Sequence, residues 1–209
     1  MTHDQRIHNR DYFWVTAALY GFSWFARHGR TLVNGLRLDA TFEALPENMV
    51  KITIPTKLKW RPGQHFFVRF LDLGIHAASS HPFTVASLPG SDAKDNGSGV
   101  IEMYARVHGG ITARLAAVAK SGALKTSRVL LDGPYGGIEA NLRMYDRVLL
   151  LAGGSGPCFI RFGSKPSSLC APGVTFVVPL LLDLVHYAKS GKTTCCQVRL
   201  VWAVKSHGV

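Results

Sequence analysis

Arg147-Val148-Leu149-Leu150-Leu151-Ala152-Gly153-Gly154-Ser155-Gly156 divides this chain into two kinds of sequence. After Arg147 the run is continuously apolar, as expected of a strand buried on both faces of a parallel sheet. Glycines close it. Val174 to Lys189 then reads as a helix, with Phe176, Val177, Leu180, Leu181 and Leu184 on one stripe and Gly191 beyond its end. Val198 to Val204 reads as a second buried strand, which makes a βαβ unit. Two parallel strands cannot cover their own faces and edges, so more of this sheet is expected downstream.

Upstream of Arg147 the period is two. Leu38, Ala40 and Phe42 alternate with Arg37, Asp39, Thr41 and Glu43, and a turn follows at Pro46-Glu47-Asn48. Val50, Ile52 and Ile54 alternate with Lys51 and Thr53. Trp60-Arg61-Pro62-Gly63 is a turn signal before the β-rich His65 to Leu71. Val100 to Val107 and Val129 to Leu131 complete the strands, and Thr112 to Ala119 has helical composition. Short strands at regular spacing with one helix predict a small antiparallel barrel from Leu36 to about Gly137. The fold class expected is an antiparallel β-barrel followed by an incomplete parallel α/β domain.

Composition narrows the partners. The chain has 209 residues, 24 Lys+Arg against 13 Asp+Glu, and a formal charge of +11. With 47% apolar and 18% charged residues it is no disordered acidic tail. The basic excess points to an anion: a phosphate-bearing cofactor, a lipid surface or a nucleic acid. Cys158, Cys170, Cys195 and Cys196 all lie in the last third without zinc-ligand spacing, which favours a reducing compartment over a disulfide scaffold. No metal ligand set is expected.

The N-terminus is no signal peptide, because no small-residue cleavage site follows the run Tyr12 to Ala26. Fifteen residues at about 1.5 Å each cover about 22 Å, short of a hydrocarbon core of about 30 Å. Arg27, His28 and Arg30 follow at once, as basic residues do at the cytoplasmic end of a membrane helix. Read alone, the segment is either a soluble amphipathic helix or the end of a membrane span.

Two stretches carry chemistry. Gly153-Gly154-Ser155-Gly156, between a strand and a helix, suits a diphosphate, since glycines let backbone N–H groups approach it. Such turns also occur for steric reasons alone. His81-Pro82-Phe83-Thr84-Val85-Ala86-Ser87 reads either as a plain edge strand with Phe83 and Val85 inward, or as a strand offering His81, Thr84 and Ser87 to a flat, heteroatom-rich ring.

Five motifs in order make the chain recognisable: Trp60-x-Pro62-Gly63-Gln64-His65, His81 to Ser87, Gly109-Gly110-Ile111-Thr112, Asp132-Gly133-Pro134-Tyr135-Gly136 and Ala152 to Gly156. Together they resemble the cytosolic half of fungal ferric reductases, relatives of the NADPH oxidases and of the ferredoxin–NADP reductase superfamily. The resemblance runs from about Tyr12 to Lys205. It implies a remnant of the last membrane helix at 1–32, an FAD-binding barrel at 33–140 and a truncated NADPH-binding domain at 146–209. By that resemblance His81, Pro82, Phe83, Thr84 and the adjoining Val85 contact the flavin. Gly110, Ile111 and Thr112 hold the FAD diphosphate. Gly153, Gly154, Ser155 and Gly156 meet the NADPH diphosphate, and Lys205 stands near its 2′-phosphate.

The activity implied is transfer of a hydride from NADPH to FAD, then single electrons to haem and ferric iron. No acid–base residue is needed, because the flavin carries the chemistry. Haem belongs to a membrane domain outside this chain, so His76, His81 and His108 are not expected to ligate it. The location implied is the cytosolic face of the plasma membrane. A basic barrel binding nucleic acid, or a membrane-surface protein without catalysis, is the alternative.

One departure stands out. The family pattern Gly-Gly-Ser-Gly-Val-Thr-Phe is broken after Gly156, and Val174-Thr175-Phe176 resumes it 17 residues later. The segment 157–173 has no apolar periodicity. Its codons allow a GT donor within Gly156 and an AG acceptor within Pro172-Gly173, so it reads as a retained intron; a surface loop is the alternative. As written, it separates the glycine turn from the helix that should share the diphosphate, and nucleotide binding is expected to suffer.

Overall fold

The computed structural model describes residues 3–35, 38–90, 99–122, 126–153, 157–162 and 165–203. A helix α1 (His3–Gly35) leads into strands β1 (Leu38–Leu45), β2 (Met49–Thr56) and β3 (Gln64–Phe70). A 3-10 turn (Gly74–Ala78) precedes β4 (His81–Thr84), β5 (Gly99–Arg106), helix α2 (Gly110–Ser121) and β6 (Thr126–Gly136). Beyond a second 3-10 turn come β7 (Arg147–Gly153), β8 (Pro157–Phe162), β9 (Lys165–Pro172), α3 (Gly173–Lys189) and β10 (Gln197–Ala203).

The first six strands form one antiparallel sheet in the order β4-β3-β6-β1-β2-β5. It closes because the chain leaving β4 crosses to β5. Val85 bridges Met103, the Ala86 N–H donates to the Glu102 carbonyl at 2.8 Å, and the Ser87 hydroxyl donates to the Val100 carbonyl at 2.8 Å. Strand alternation fills the interior as the sequence predicts: Val50, Ile52, Ile54, Phe66, Val68 and Phe70 are fully buried. Helix α2 plugs one end with Ile111, Leu115, Ala116 and Val118. At about 1.5–3 kcal/mol for each large apolar side chain, this cluster is the main driving force of the barrel.

Asp72, just past β3, ties that strand's end to β6. It accepts from the Arg128 N–H at 2.7 Å and from the Arg128 guanidinium at 2.8 and 3.2 Å. These hydrogen bonds, the side-chain ones foremost, hold the Asp72 carboxyl below its ordinary pKa. A carboxyl depressed on folding contributes stability above its unfolded pKa of about 4, and loses it as pH falls through the lower folded value. Asp72→Asn is therefore expected to flatten the acid limb, so that melting temperature falls less from pH 6 to pH 3 than in the parent. Parallel melting curves would contradict this.

The second core joins β7 to α3 through Val148, Leu150, Ala152, Phe176, Val177, Leu180 and Leu184. Strands β7 and β10 are parallel, from Gln197 opposite Arg147 to Ala203 opposite Gly153. Three sequence expectations need correction here. Segment 157–173 is mostly a hairpin: β8 pairs antiparallel with β7, and β9 with β8, so the described sheet is four-stranded and mixed in the order β10-β7-β8-β9. Strand β7 is not buried on both faces, because α3 covers one and Leu149 and Leu151 on the other are only half-buried. Strand β10 is no buried strand either, with Trp202 52% exposed.

The N-terminal helix also departs from expectation. It runs 33 residues, well beyond the apolar run from Tyr12 to Ala26. No helix among the described residues is long and apolar enough to cross a membrane. Length is sufficient at about 1.5 Å per residue; apolarity falls short, because Thr16, Gly21 and Ser23 interrupt the run and charged residues flank it at Asp11 and Arg27. Helix α1 packs against β6 yet leaves Tyr12, Phe13, Trp14, Tyr20, Phe22 and Phe25 exposed.

Candidate functional site

Where β4, β3 and β6 lie side by side, their outer face carries one transverse row. His65 in β3 is the register partner of Thr84 in β4 and of Tyr135 in β6. Opposed residues on neighbouring strands point to the same face. The next row is Pro82, Phe67 and Asp132. Three strands about 4.8 Å apart span about 10 Å, the scale of a tricyclic ring laid across them. The His65 ring stands 6.1 Å from Tyr135 and 5.6 Å from Phe67, and Phe67 meets Tyr135 edge-on at 5.8 Å. Burial holds the His65 imidazole below its usual pKa, so this ring is uncharged at pH 7.

The His81–Thr84 stretch divides between this face and the core. Pro82 is exposed, and Thr84 is 9% exposed in the row with His65. Phe83 turns inward, pairs in register with Phe66 and meets Phe70 edge-on at 6.1 Å. Val85 is fully buried and its N–H donates to the Gln64 carbonyl at 3.0 Å, so neither its side chain nor its N–H is presented to a ligand. Ser87, read from the sequence as a third polar group for a ring, is committed to barrel closure: its hydroxyl also accepts from the Glu102 N–H at 3.1 Å. The odd-even pattern thus sorts this motif as the plain-strand reading expected for Phe83 and Val85, while keeping Pro82 and Thr84 outside.

His81 sits at the strand's start with Nε2 3.0 Å from the Ser79 hydroxyl. That hydroxyl donates its one proton to the His76 carbonyl at 3.1 Å. Both bonds are satisfied together when Nε2 carries the imidazole proton, which makes Nδ1 the acceptor. Ser79, which the sequence reading did not single out, is the side chain that holds the His81 ring.

The second expected contact lies at the start of α2. Gly110 opens the helix with φ +54°, and a side chain built there or at Gly109 meets nothing within 4 Å. The corner is open. Ile111 is buried against the barrel and anchors the helix start. Thr112 turns its hydroxyl back, accepting from the His108 N–H at 3.1 Å and the Gly109 N–H at 3.4 Å while donating to the Gly109 carbonyl at 2.9 Å. What this corner offers an anion is therefore backbone N–H groups of a first helical turn, which have no acceptor inside the helix.

Gly153 ends β7. Gly154, Ser155, Gly156 and Lys205 lie outside the described residues. His65, Phe67 and Tyr135 are row members the sequence reading did not assign. Two signals for them existed: Phe66-Phe67 puts one ring on each face of a strand, and Tyr135 lies in a quoted motif that received no role.

A family profile described as an FAD-binding domain matches residues 34–139. A probable cell surface ferric reductase of Aspergillus oryzae is 31% identical over 207 residues, covering 94% of this chain and 25% of that protein. A probable ferric reductase transmembrane component of Candida albicans is 32% identical over 199 residues, covering 93% of this chain and 25% of its own length. A ferric reductase transmembrane component of Schizosaccharomyces pombe is 25% identical over 240 residues, covering 93% and 37% respectively. The chain spans a quarter to about a third of the length of these relatives. Among solved structures, the ferredoxin reductase in carbazole 1,9a-dioxygenase aligns at a TM-score of 0.49 and 16% identity, over 79% of this chain and 41% of that one.

Proposed function

This chain belongs to the FAD-binding domain family, and from that premise we propose that it is the flavin-binding part of an NADPH-dependent ferric reductase. The observation that carries the reading is the row Thr84, His65 and Tyr135, a neutral, three-strand platform on the same barrel as the open corner at Gly109-Gly110. A ring and a diphosphate are the two ends of one ligand, and the barrel has a place of fitting chemistry for each.

In this reading Pro82 supplies a flat apolar contact beneath the ring. Thr84, nearly buried in the row, is placed to hydrogen-bond near flavin N5. His81, its tautomer set through Ser79, offers Nδ1 at the ring's polar edge. The first-turn N–H groups of Gly110, Ile111 and Thr112 hold the diphosphate without a cation, because the helix N-terminus is itself positive. When bound, FAD supplies the conversion of a two-electron hydride into single electrons. The protein contributes position and an apolar wall, so no general acid or base is required.

The remaining parts are also inferred. Gly153 to Gly156 serve the NADPH diphosphate and Lys205 its 2′-phosphate as a point charge. The electrons pass to haem in a membrane domain and on to ferric iron. Helix α1 associates with the cytosolic face of the plasma membrane through its exposed aromatic residues, which are suited to the interface as Trp and Tyr belts are. The words cell surface and transmembrane in the relatives' names support this location.

Titration of the purified chain with FAD is expected to give a bound flavin spectrum and a higher melting temperature. A colourless protein that FAD does not stabilise, but a short oligonucleotide does, would overturn the reading. Thr84→Ala and His81→Ala are each expected to weaken FAD binding or slow its reduction. One lost hydrogen bond of about 0.5–1.5 kcal/mol corresponds to about two- to tenfold. Unchanged affinity and reduction rate in both variants would remove these residues from the ring site.

A further inference from the structure

We infer that Tyr135 is a ring-contact residue of the flavin platform and that the buried Asp132 is the residue that positions it, an assignment that rests on the ring site proposed above. The two residues are three apart, so in a regular strand they would point to opposite faces. In β6 they do not. Between the pairs His65–Tyr135 and Phe67–Asp132, strand β3 contributes only Phe66 while β6 contributes Gly133 and Pro134. This is a two-against-one bulge, and it turns both side chains to the outer face.

The consequence is a short contact. The Tyr135 hydroxyl donates to Asp132 Oδ1 at 2.6 Å, a length expected of a charge-assisted bond. Asp132 is 6% exposed, so the acceptor that holds the Tyr135 hydroxyl is itself nearly buried. Phe67 and His65 flank the same ring at 5.8 and 6.1 Å. At Gly136, a side chain would come within 3.1 Å of His65 Nδ1, so the backbone beyond Tyr135 is held close to the platform as well. A tyrosine fixed at its hydroxyl and along its edges presents a rigid wall. A ring lying across Thr84 and His65 meets that wall at the end of the row. Rigidity matters because an aromatic contact preordered in the free protein costs little entropy on binding.

Tyrosine next to a flavin quenches its fluorescence by donating an electron to the excited ring, so the contact has its own readout. With the full chain and FAD, Tyr135→Leu is expected to leave the flavin bound but at least twofold brighter, and to weaken binding. Asp132→Ala is expected to brighten it partly, and Asp132→Asn, which keeps an acceptor at Oδ1, to restore the quenching. Apo melting curves check that each variant folds, and Tyr135→Phe keeps the ring for the case in which leucine does not. The Tyr135→Phe variant is expected to bind FAD with a changed visible circular dichroism spectrum. If FAD binds to the parent and to Tyr135→Leu with equal affinity and equal brightness, the inference is wrong while the ring site itself survives. Failure of the parent chain to bind FAD removes both.

Discussion

Deletion of residues 157–173 is expected to raise the affinity of the chain for NADPH by about five- to thirtyfold, the equivalent of about 1–2 kcal/mol. The figure is what a partly buried anion gains from a helix N-terminus. At present the hairpin of β8 and β9 stands between β7 and α3, so the glycine turn and the helix that should share a diphosphate are separated in the chain. Excision removes the pairing of β8 with β7 and leaves that of β7 with β10. Pro157 and Pro172 are register partners, so the two ends of the hairpin lie one strand spacing apart. After the deletion Gly156 is followed directly by Val174, and α3 keeps its stripe of Phe176, Val177, Leu180 and Leu184. The measurement is anaerobic reduction of bound FAD against NADPH concentration. An equal or lower affinity after deletion would mean that the hairpin belongs to the site. Sequencing of the transcript gives an independent answer, because a mature message that always carries these codons excludes a retained intron.

Gly133→Ala is expected to lower stability by about 2–6 kcal/mol. Its φ of +150° is a conformation that L side chains rarely adopt, and a backbone held so costs about 1–3 kcal/mol. Space is lacking too. A Cβ there lies 2.7 Å from Phe66 Cδ1 and 3.2 Å from the His65 carbonyl. Phe66 is fully buried and cannot swing away, so overpacking adds about 1–3 kcal/mol. Against a total of about 5–15 kcal/mol, such a loss is a large fraction. Melting temperature reads the effect, and a variant within one or two degrees of the parent would show that the bulge relaxes freely. The same substitution should loosen the contact between Tyr135 and Asp132, because the bulge is what brings them to one face.

Much of this fold was legible residue by residue. Val50, Ile52 and Ile54 alternate because one face of their strand is core, and the structure buries all three completely. The stripe on α3 and the parallel pairing of β7 with β10 were equally plain. Where the pattern misled, coverage was the reason. Leu149 and Leu151 are as apolar as Leu150, yet nothing in a strand's own letters says whether a second layer packs on it. The hairpin in 157–173 escaped for the opposite reason, since its pairing with β7 is backbone hydrogen bonding that needs no apolar period.

The motif His81-Pro82-Phe83-Thr84 was visible as a candidate site, and the sequence by itself determined that its residues alternate between two environments. It also determined the barrel class and the basic charge that suits phosphates. Which neighbours share the face of that candidate site was decided only by tertiary structure. Thr84, His65 and Tyr135 come from three segments, and Asp132 joins them through a bulge that changes the parity of β6. A strand's side-chain period is local and can be read along the chain. The register between strands is set by non-local pairing, and one inserted residue moves every later side chain to the other face.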